Sequence, residues 1–364
     1  MINIASPIIG ESEKQLIAEV LESKILASGK YVEKFEGLFA NYCRTKFAVA
    51  SSNGTTALHS ALLSCGVKEG DKVAVTAFSF IATANSILYC RAKPVFVDID
   101  PKTFNMDLDA LEQTLKKEKN IKAVILVHLY GLMSDMDKIS ALRDKYGFKL
   151  IEDCAQAHGA QYKNTRAGSV GDASAFSFYA TKNLMTGEGG MILTNNSKTD
   201  KLLRQITNHG RDGHSSFAVL GYNYRMTNLA AAIGIAQLSS LEERTDKRNE
   251  NAKKYYENLN GLDFLTLPEV PVDFRHVFHQ YTLRVKASLR EDFMNHLKDN
   301  EIGCGIYYDT VMYKQPVYRK LGYKNGLCPQ AEKAAKEVVS IPIHPSLSQK
   351  DIDKVIEAIR GFKK

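Results

Sequence analysis

The sequence predicts an α/β protein in which a mainly parallel sheet, covered by helices, is followed by a smaller α/β unit. Between Phe47 and Asn195 short β-branched runs alternate with amphipathic stretches, the order expected of strand–helix–strand crossovers. The runs are apolar throughout instead of alternating with polar residues, as strands buried on both faces are. Length adds the second unit, since 364 residues exceed the roughly 100 to 200 of an ordinary domain. A large domain over 1–245 and a small one over 246–364 are expected.

The first element reads as a helix, because Ser12 and Gln15 make a capping box ahead of Leu16, Ile17, Val20 and Leu21 at helical spacing. A second helix follows on Tyr31, Phe35, Leu38 and Tyr42. The strand FAVAS leads into a helix carrying Ala57, Leu58, Ala61 and Leu62, and VAVT, VFVDI, AVILVH, KLIED, AFSFYA and MILT supply the rest of the sheet. From Asn228 one long helical stretch turns from apolar to highly charged, as a helix leaving a core does. QYTLRV, a helix around FMNHLKDN, GIYY and two closing helices make the small unit.

Composition narrows the function. Hydrophobic residues at 44% and charged residues at 24% are ordinary for a globular chain. The apolar runs are shorter than the roughly 18 to 20 residues that span a bilayer, and the N-terminus has neither a basic start nor an apolar core. A soluble, cytoplasmic protein with no membrane partner is expected. Six cysteines without a CxxC pair read as reduced, mostly buried thiols. The net charge of +7, spread without a basic run, suits an anionic small ligand better than nucleic acid.

In such sheets ligands sit beyond the carboxyl ends of the strands, so the residues after each run are the candidates. After FAVAS comes SSNGTTALHS, a helix start whose unpaired amides, with Gly54, Thr55 and Thr56, suit a phosphate; plain capping by Asn53 or Thr55 is the alternative. Phe80, just past VAVT, suits stacking on a flat cofactor or a place in the core. Asp153 ends a buried strand, where a carboxylate needs a partner. A protonated pyridine nitrogen would serve, as would a role as helix cap. A metal on Asp153 and His158 lacks a third ligand at recognisable spacing, so no metal is expected.

Lys182 lies between two apolar strands in a turn with Gly187, Gly189 and Gly190. Lost hydration there would lower its pKa and make the amine a nucleophile, the bland alternative being a surface hairpin lysine. The pattern GxxxxGK[ST] is absent, which sets a P-loop aside. Phosphate turn, stacking ring, strand-end acid and lysine, in that order, are the parts that pyridoxal 5′-phosphate (PLP) needs.

With those parts in view, the sequence resembles the DegT/DnrJ/EryC1/StrS family of nucleotide-sugar aminotransferases. The stretches that carry the resemblance run over nearly the whole chain, among them SSNGTTALHSALLSCGVKEGDKV, LIEDCAQAHGA, GDASAFSFYATKNLMTGEGG and GYNYRMTNLAAAIGIAQL. The resemblance implies the aspartate-aminotransferase type of fold (fold type I), with a seven-stranded, mainly parallel sheet in the large domain. It makes Lys182 the Schiff-base lysine, Asp153 the partner of the pyridine nitrogen and Gln156 a contact to the ring oxygen. Gly54, Thr55 and Ser177 become phosphate ligands and Phe80 the stacking ring. Asn223 would complete the phosphate site of a neighbouring subunit, and Arg225 would reach that subunit's substrate, so a homodimer with shared active sites is implied. Tyr307 and Tyr308 stand where many relatives have His-Tyr, and are candidates for substrate binding.

The family also holds dehydratases with histidine in place of the lysine; this chain keeps lysine, which favours transamination. GYNYRMTN is similar to the perosamine-synthase-like branch. The expected activity is transfer of the amino group of L-glutamate to a nucleotide-linked 4-keto-6-deoxy sugar. The alternatives are amination of a 3-keto sugar and, in another class, a regulator that binds PLP or a sugar nucleotide without turnover.

Overall fold

The computed structural model describes residues 1–363. Helices α1 (Glu11–Ser23) and α2 (Lys30–Cys43) precede a seven-stranded sheet made of β1 (Phe47–Ser51), β2 (Lys72–Thr76), β3 (Lys93–Val97), β4 (Ile121–Val127), β5 (Lys149–Asp153), β6 (Ala173–Ser177) and β7 (Gly190–Thr194). Its spatial order is β1-β7-β6-β5-β4-β2-β3. All neighbours pair in parallel except β7, which runs antiparallel to both β1 and β6. The expected fold type I sheet is present. Helices α3 (Gly54–Ser64), α4 (Ile81–Tyr89), α5 (Leu108–Lys117) and α6 (Met136–Tyr146) connect successive strands, and α7 (Ser197–Thr207) follows the last of them. One apolar core lies between the sheet and α1, α2, α5, α6 and α8 (Asn228–Ser239), and a second lies under α3, α4 and α7. Burial on both faces is what the unbroken apolar strands require.

Beyond α9 (Leu241–Leu259) a three-stranded antiparallel sheet of β8 (Leu265–Thr266), β9 (Tyr281–Val285) and β10 (Val338–Ile341) packs with α10 (Arg290–Asp299) and α13 (Gln349–Arg360) around a separate core. Helices α11 (Pro316–Lys320) and α12 (Pro329–Glu337) lie between them in sequence. GIYY contributes only a single bridge, from Gly305 to Ser340.

Three local expectations are corrected. The cap of α1 is Gly10, whose N–H donates to Glu13 Oε2 at 2.8 Å, not Ser12 with Gln15. Glu13 turns inward, where Gln237 Nε2 donates to its other oxygen at 2.6 Å. On α2 the buried face runs through Tyr31, Phe35 and Phe39, and Leu38 is exposed. The long helix after Asn228 is two helices, because Ser240 (φ −110°, ψ 7°) leaves the helical region. All six cysteines are free and all but Cys304 are buried. Among the described residues no helix is long and apolar enough to cross a membrane.

Candidate active site

Asp153 is the last residue of β5, level with Val127 on β4 and Ala175 on β6. Its buried carboxylate accepts Thr83 Oγ1–H at 2.7 Å and the Ala155 N–H at 3.1 Å. Burial still pushes its pKa up, against the pull of those hydrogen bonds and of the Lys182 charge. Lys182 sits in the loop after β6, its backbone N–H donating to the Tyr179 carbonyl at 2.8 Å. Its amine has no hydrogen-bond partner among the described residues. Burial lowers its pKa to about 8, and Asp153 pulls the other way. The two groups therefore share one interior site, each lacking the close counter-charge that would satisfy it. The surface-hairpin reading of Lys182 and the helix-cap reading of Asp153 do not describe this arrangement.

His158, also buried, donates its Nε2–H to the Ser177 carbonyl at 2.8 Å and leaves Nδ1 without a hydrogen-bond partner. Burial, and then Lys182, lower its pKa to about 3, so the ring is neutral. The cluster of potential metal donors among the described residues is His128, Glu152 and Cys154. Its carboxylate is already engaged by His128 Nε2 at 2.9 Å and by the N–H groups of Gly168, Val170 and Gly171.

At the other end of the site Asn53 caps α3, its Oδ1 accepting the Thr56 N–H at 2.9 Å. The amides of Gly54 and Thr55 stand ahead of the first intrahelical bond, on the positive end of the helix. Ser51, Gly190 and Ser177 lie abreast at this edge of the sheet. A Cβ on Gly54 would lie 2.6 Å from Ser177 Cβ, and one on Gly190 2.4 Å from the Asn53 carbonyl oxygen. These two glycines let the helix end, β6 and β7 come into contact, which places Ser177 beside the free amides. The capping and anion-site readings are thus compatible, since Asn53 caps Thr56 and leaves Gly54 and Thr55.

Phe80 is not in the core. It precedes α4 and is 56% exposed, whereas Phe78 is fully buried. Its ring centroid lies 6.2 Å from that of Tyr308. Gln156 accepts the Tyr130 N–H at 2.7 Å and donates from Nε2 to Tyr308 Oη at 3.1 Å; Tyr130 in turn donates its hydroxyl hydrogen to the Tyr307 carbonyl. Tyr307 and Tyr308 are thereby tied to the Gln156 side of the site. Asn223 and Arg225 are not brought to Lys182 within the chain. Asn223 is exposed and bridges Asn208, and Arg225 Nη1 donates to Asn208 Oδ1 at 2.8 Å. Between them, the Tyr224 carbonyl accepts the Ser52 N–H at 2.7 Å, just ahead of the α3 end.

Sequence reasoning missed Thr83, Asn183 and His279. Asn183 donates to the Val277 carbonyl at 3.0 Å and accepts His279 Nδ1–H at 3.2 Å, which fixes the residue next to Lys182. A buried asparagine adjoining the lysine was the available signal; nothing local marks a histidine nearly a hundred residues away in sequence.

The donor set fits a flat, phosphorylated pyridine aldehyde: an uncharged-prone amine for the aldehyde, a buried carboxylate for the ring nitrogen and a helix end for the phosphate. Comparison with known proteins agrees. Residues 7–360 match the DegT/DnrJ/EryC1/StrS aminotransferase family. The chain is 38% identical to GDP-perosamine synthase of Caulobacter vibrioides, over 98% of this chain and 97% of that protein. It is 42% identical to a pleiotropic regulatory protein of Geobacillus stearothermophilus, over 96% and 93%. It is 38% identical to a UDP-N-acetyl-3-dehydro-α-D-glucosamine 3-aminotransferase of Acidithiobacillus ferrooxidans, over 94% and 92%. Among solved structures, S. venezuelae DesV in complex with a ketimine intermediate aligns with a TM-score of 0.93 at 33% identity, covering 96% of this chain and 94% of that one.

Proposed function

This chain belongs to the DegT/DnrJ/EryC1/StrS family of PLP-dependent sugar aminotransferases, and from that premise we propose that it moves the amino group of L-glutamate to the keto carbon of a nucleotide-linked 4-keto-6-deoxy sugar. The observation that carries the reading is the pairing of Lys182 with Asp153 in one interior site at the carboxyl ends of β5 and β6. PLP, when bound, would supply an electron sink for chemistry at the donor's Cα. Lys182 Nζ would hold the cofactor and would carry the donor's Cα proton; its lowered pKa suits it to take up and give back a proton near neutral pH. Asp153, steadied by Thr83 and Ala155, would keep the ring nitrogen protonated. Gly54, Thr55 and Ser177 would hold the phosphate, Gln156 the ring oxygen, and Phe80 a face of the ring.

The 4-keto choice is supported by the likeness to GDP-perosamine synthase and by GYNYRMTN. A second reading, amination at C3, is favoured by the comparably similar 3-aminotransferase. In either case Asn223 and Arg225 serve the site of a second copy, so the working unit is a homodimer acting on a nucleotide sugar. The test offers holoenzyme and glutamate a panel of nucleotide-linked 3-keto and 4-keto sugars and locates the product amine by NMR. A C4 amine supports the first reading, a C3 amine the second. No product with any sugar, and no glutamate-dependent bleaching of the bound cofactor, would overturn both. Lys182→Ala should keep PLP binding while turnover falls at least about a thousandfold; a variant that turns over normally refutes the assignment.

A further inference from the structure

Arg248, midway along α9, is buried at 8% exposure. Its Nη1 donates to the Phe278 carbonyl at 2.9 Å, yet among the described residues it makes no salt bridge. Other partly buried arginines do: Arg166 and Arg275 meet Glu242, and Arg284 meets Glu337. A buried guanidinium without a counter-charge is costly, and it persists where a ligand supplies the anion. Arg248 lines one cleft together with Ser6, Lys182, Asn183, Gln237 and Arg244.

The second arginine of that cleft is largely committed, Arg244 Nη1 donating to Gln237 Oε1 at 2.5 Å, with Glu13 3.8 Å from Nη2. Burial, and then Arg244, push the Arg248 pKa down to about 10, which leaves it fully charged at neutral pH. Lys182 and Arg248 both bear electrostatically on the buried ring of His279, so the two cations face the same interior region. An anion held by Arg248 therefore lies close to the reacting amine.

Resting on the aminotransferase reading, we propose that Arg248 binds a carboxylate of the amino donor, and of the 2-oxo acid that leaves. A carboxylate accepts two parallel N–H groups from the planar guanidinium fork. The nucleotide sugar also carries an anion, its diphosphate, but that group hangs from C1 with the sugar ring between it and the keto carbon. A short dicarboxylic amino acid brings its charge into the cleft that holds Lys182.

The test uses glutarate, which has both carboxylates and no amine, titrated calorimetrically into PLP-loaded protein, with GDP and dTDP as diphosphate probes. Arg248→Gln should weaken glutarate binding by roughly tenfold or more, the loss of one charge-assisted pair, and leave both nucleotides within about twofold. Arg248→Lys keeps the charge and loses the fork; it should weaken glutarate about threefold or more, and it decides the matter if Arg248→Gln does not fold. Unchanged glutarate affinity in a folded variant overturns the proposal, as does loss of nucleotide binding in its place or a wild type that ignores glutarate. Because glutarate binding needs no turnover, a wild type that binds it through Arg248 but fails to bleach with glutamate keeps the subsite and overturns the aminotransferase reading instead.

Discussion

At the level of single residues the site sets a buried carboxylate, Asp153, beside a half-buried lysine whose amine has lost much of its hydration. Lys182 should show this directly: amine-specific labelling followed by mass spectrometry is expected to give a midpoint near pH 8 in the cofactor-free protein, against about 10.4 for an ordinary lysine. A midpoint at the ordinary value would mean that the amine is solvated. Glu152, next to Asp153, is the structural counterpart. Burial raises its pKa, but His128 and the amides of Gly171 and Gly168 more than reverse this, and the net shift is downward. A folded pKa below the unfolded one gives stability that is present above about pH 4.3 and is lost as pH falls through the folded value. Glu152→Ala should cost about 3 to 5 kcal/mol in a denaturant melt. Of these residues, Lys182 and Asp153 were legible in the sequence because both are ionisable groups at the ends of apolar runs. Thr83 and His279 were not. Their roles depend on chain crossings that bring distant segments together, and no local pattern encodes those.

Elements were legible to the extent that one periodicity governed them. The strands KLIED and MILT appear where their apolar runs lie, and the end of α3 appears at SSNGTT. The misread cap of α1 has a tertiary cause: Glu13 is drawn inward by Gln237 on α8, more than two hundred residues later. The break at Ser240 has one as well, since the charged helix α9 must turn toward the small core that Ala252, Tyr255 and Leu259 enter. Glycine contacts were invisible too, because a sequence shows a missing side chain but not what would have struck it. The contact of Gly190 with the Asn53 carbonyl makes a prediction at this scale. Gly190→Ala must push β7 and the α3 end apart, which should cost about 1 to 3 kcal/mol of stability and weaken PLP binding in a fluorescence titration. Undiminished cofactor affinity would separate the helix end from the phosphate.

For the whole molecule the decisive question is whether one chain completes its own site. Asn223 and Arg225 lie on a segment whose bonds run to Asn208 and Ser52, and the proposal gives them to a second copy. Lys182→Ala and Arg225→Ala chains, each inactive alone, should regain activity when unfolded and refolded together. Random pairing of equal amounts makes half the dimers mixed, each with one intact site, so recovery should reach about a quarter of wild type. No recovery in mixtures that form dimers of native size would confine each site to a single chain. The antiparallel strand β7 has a last consequence. Because Gly190 is paired to Ser177 on one side and Ser51 on the other, the lysine-bearing loop has both its ends fixed in one sheet. Positions 225 and 307, which the proposal gives to the sugar, lie outside that closed loop, so a change of substrate there leaves the fixed ends of the lysine loop untouched.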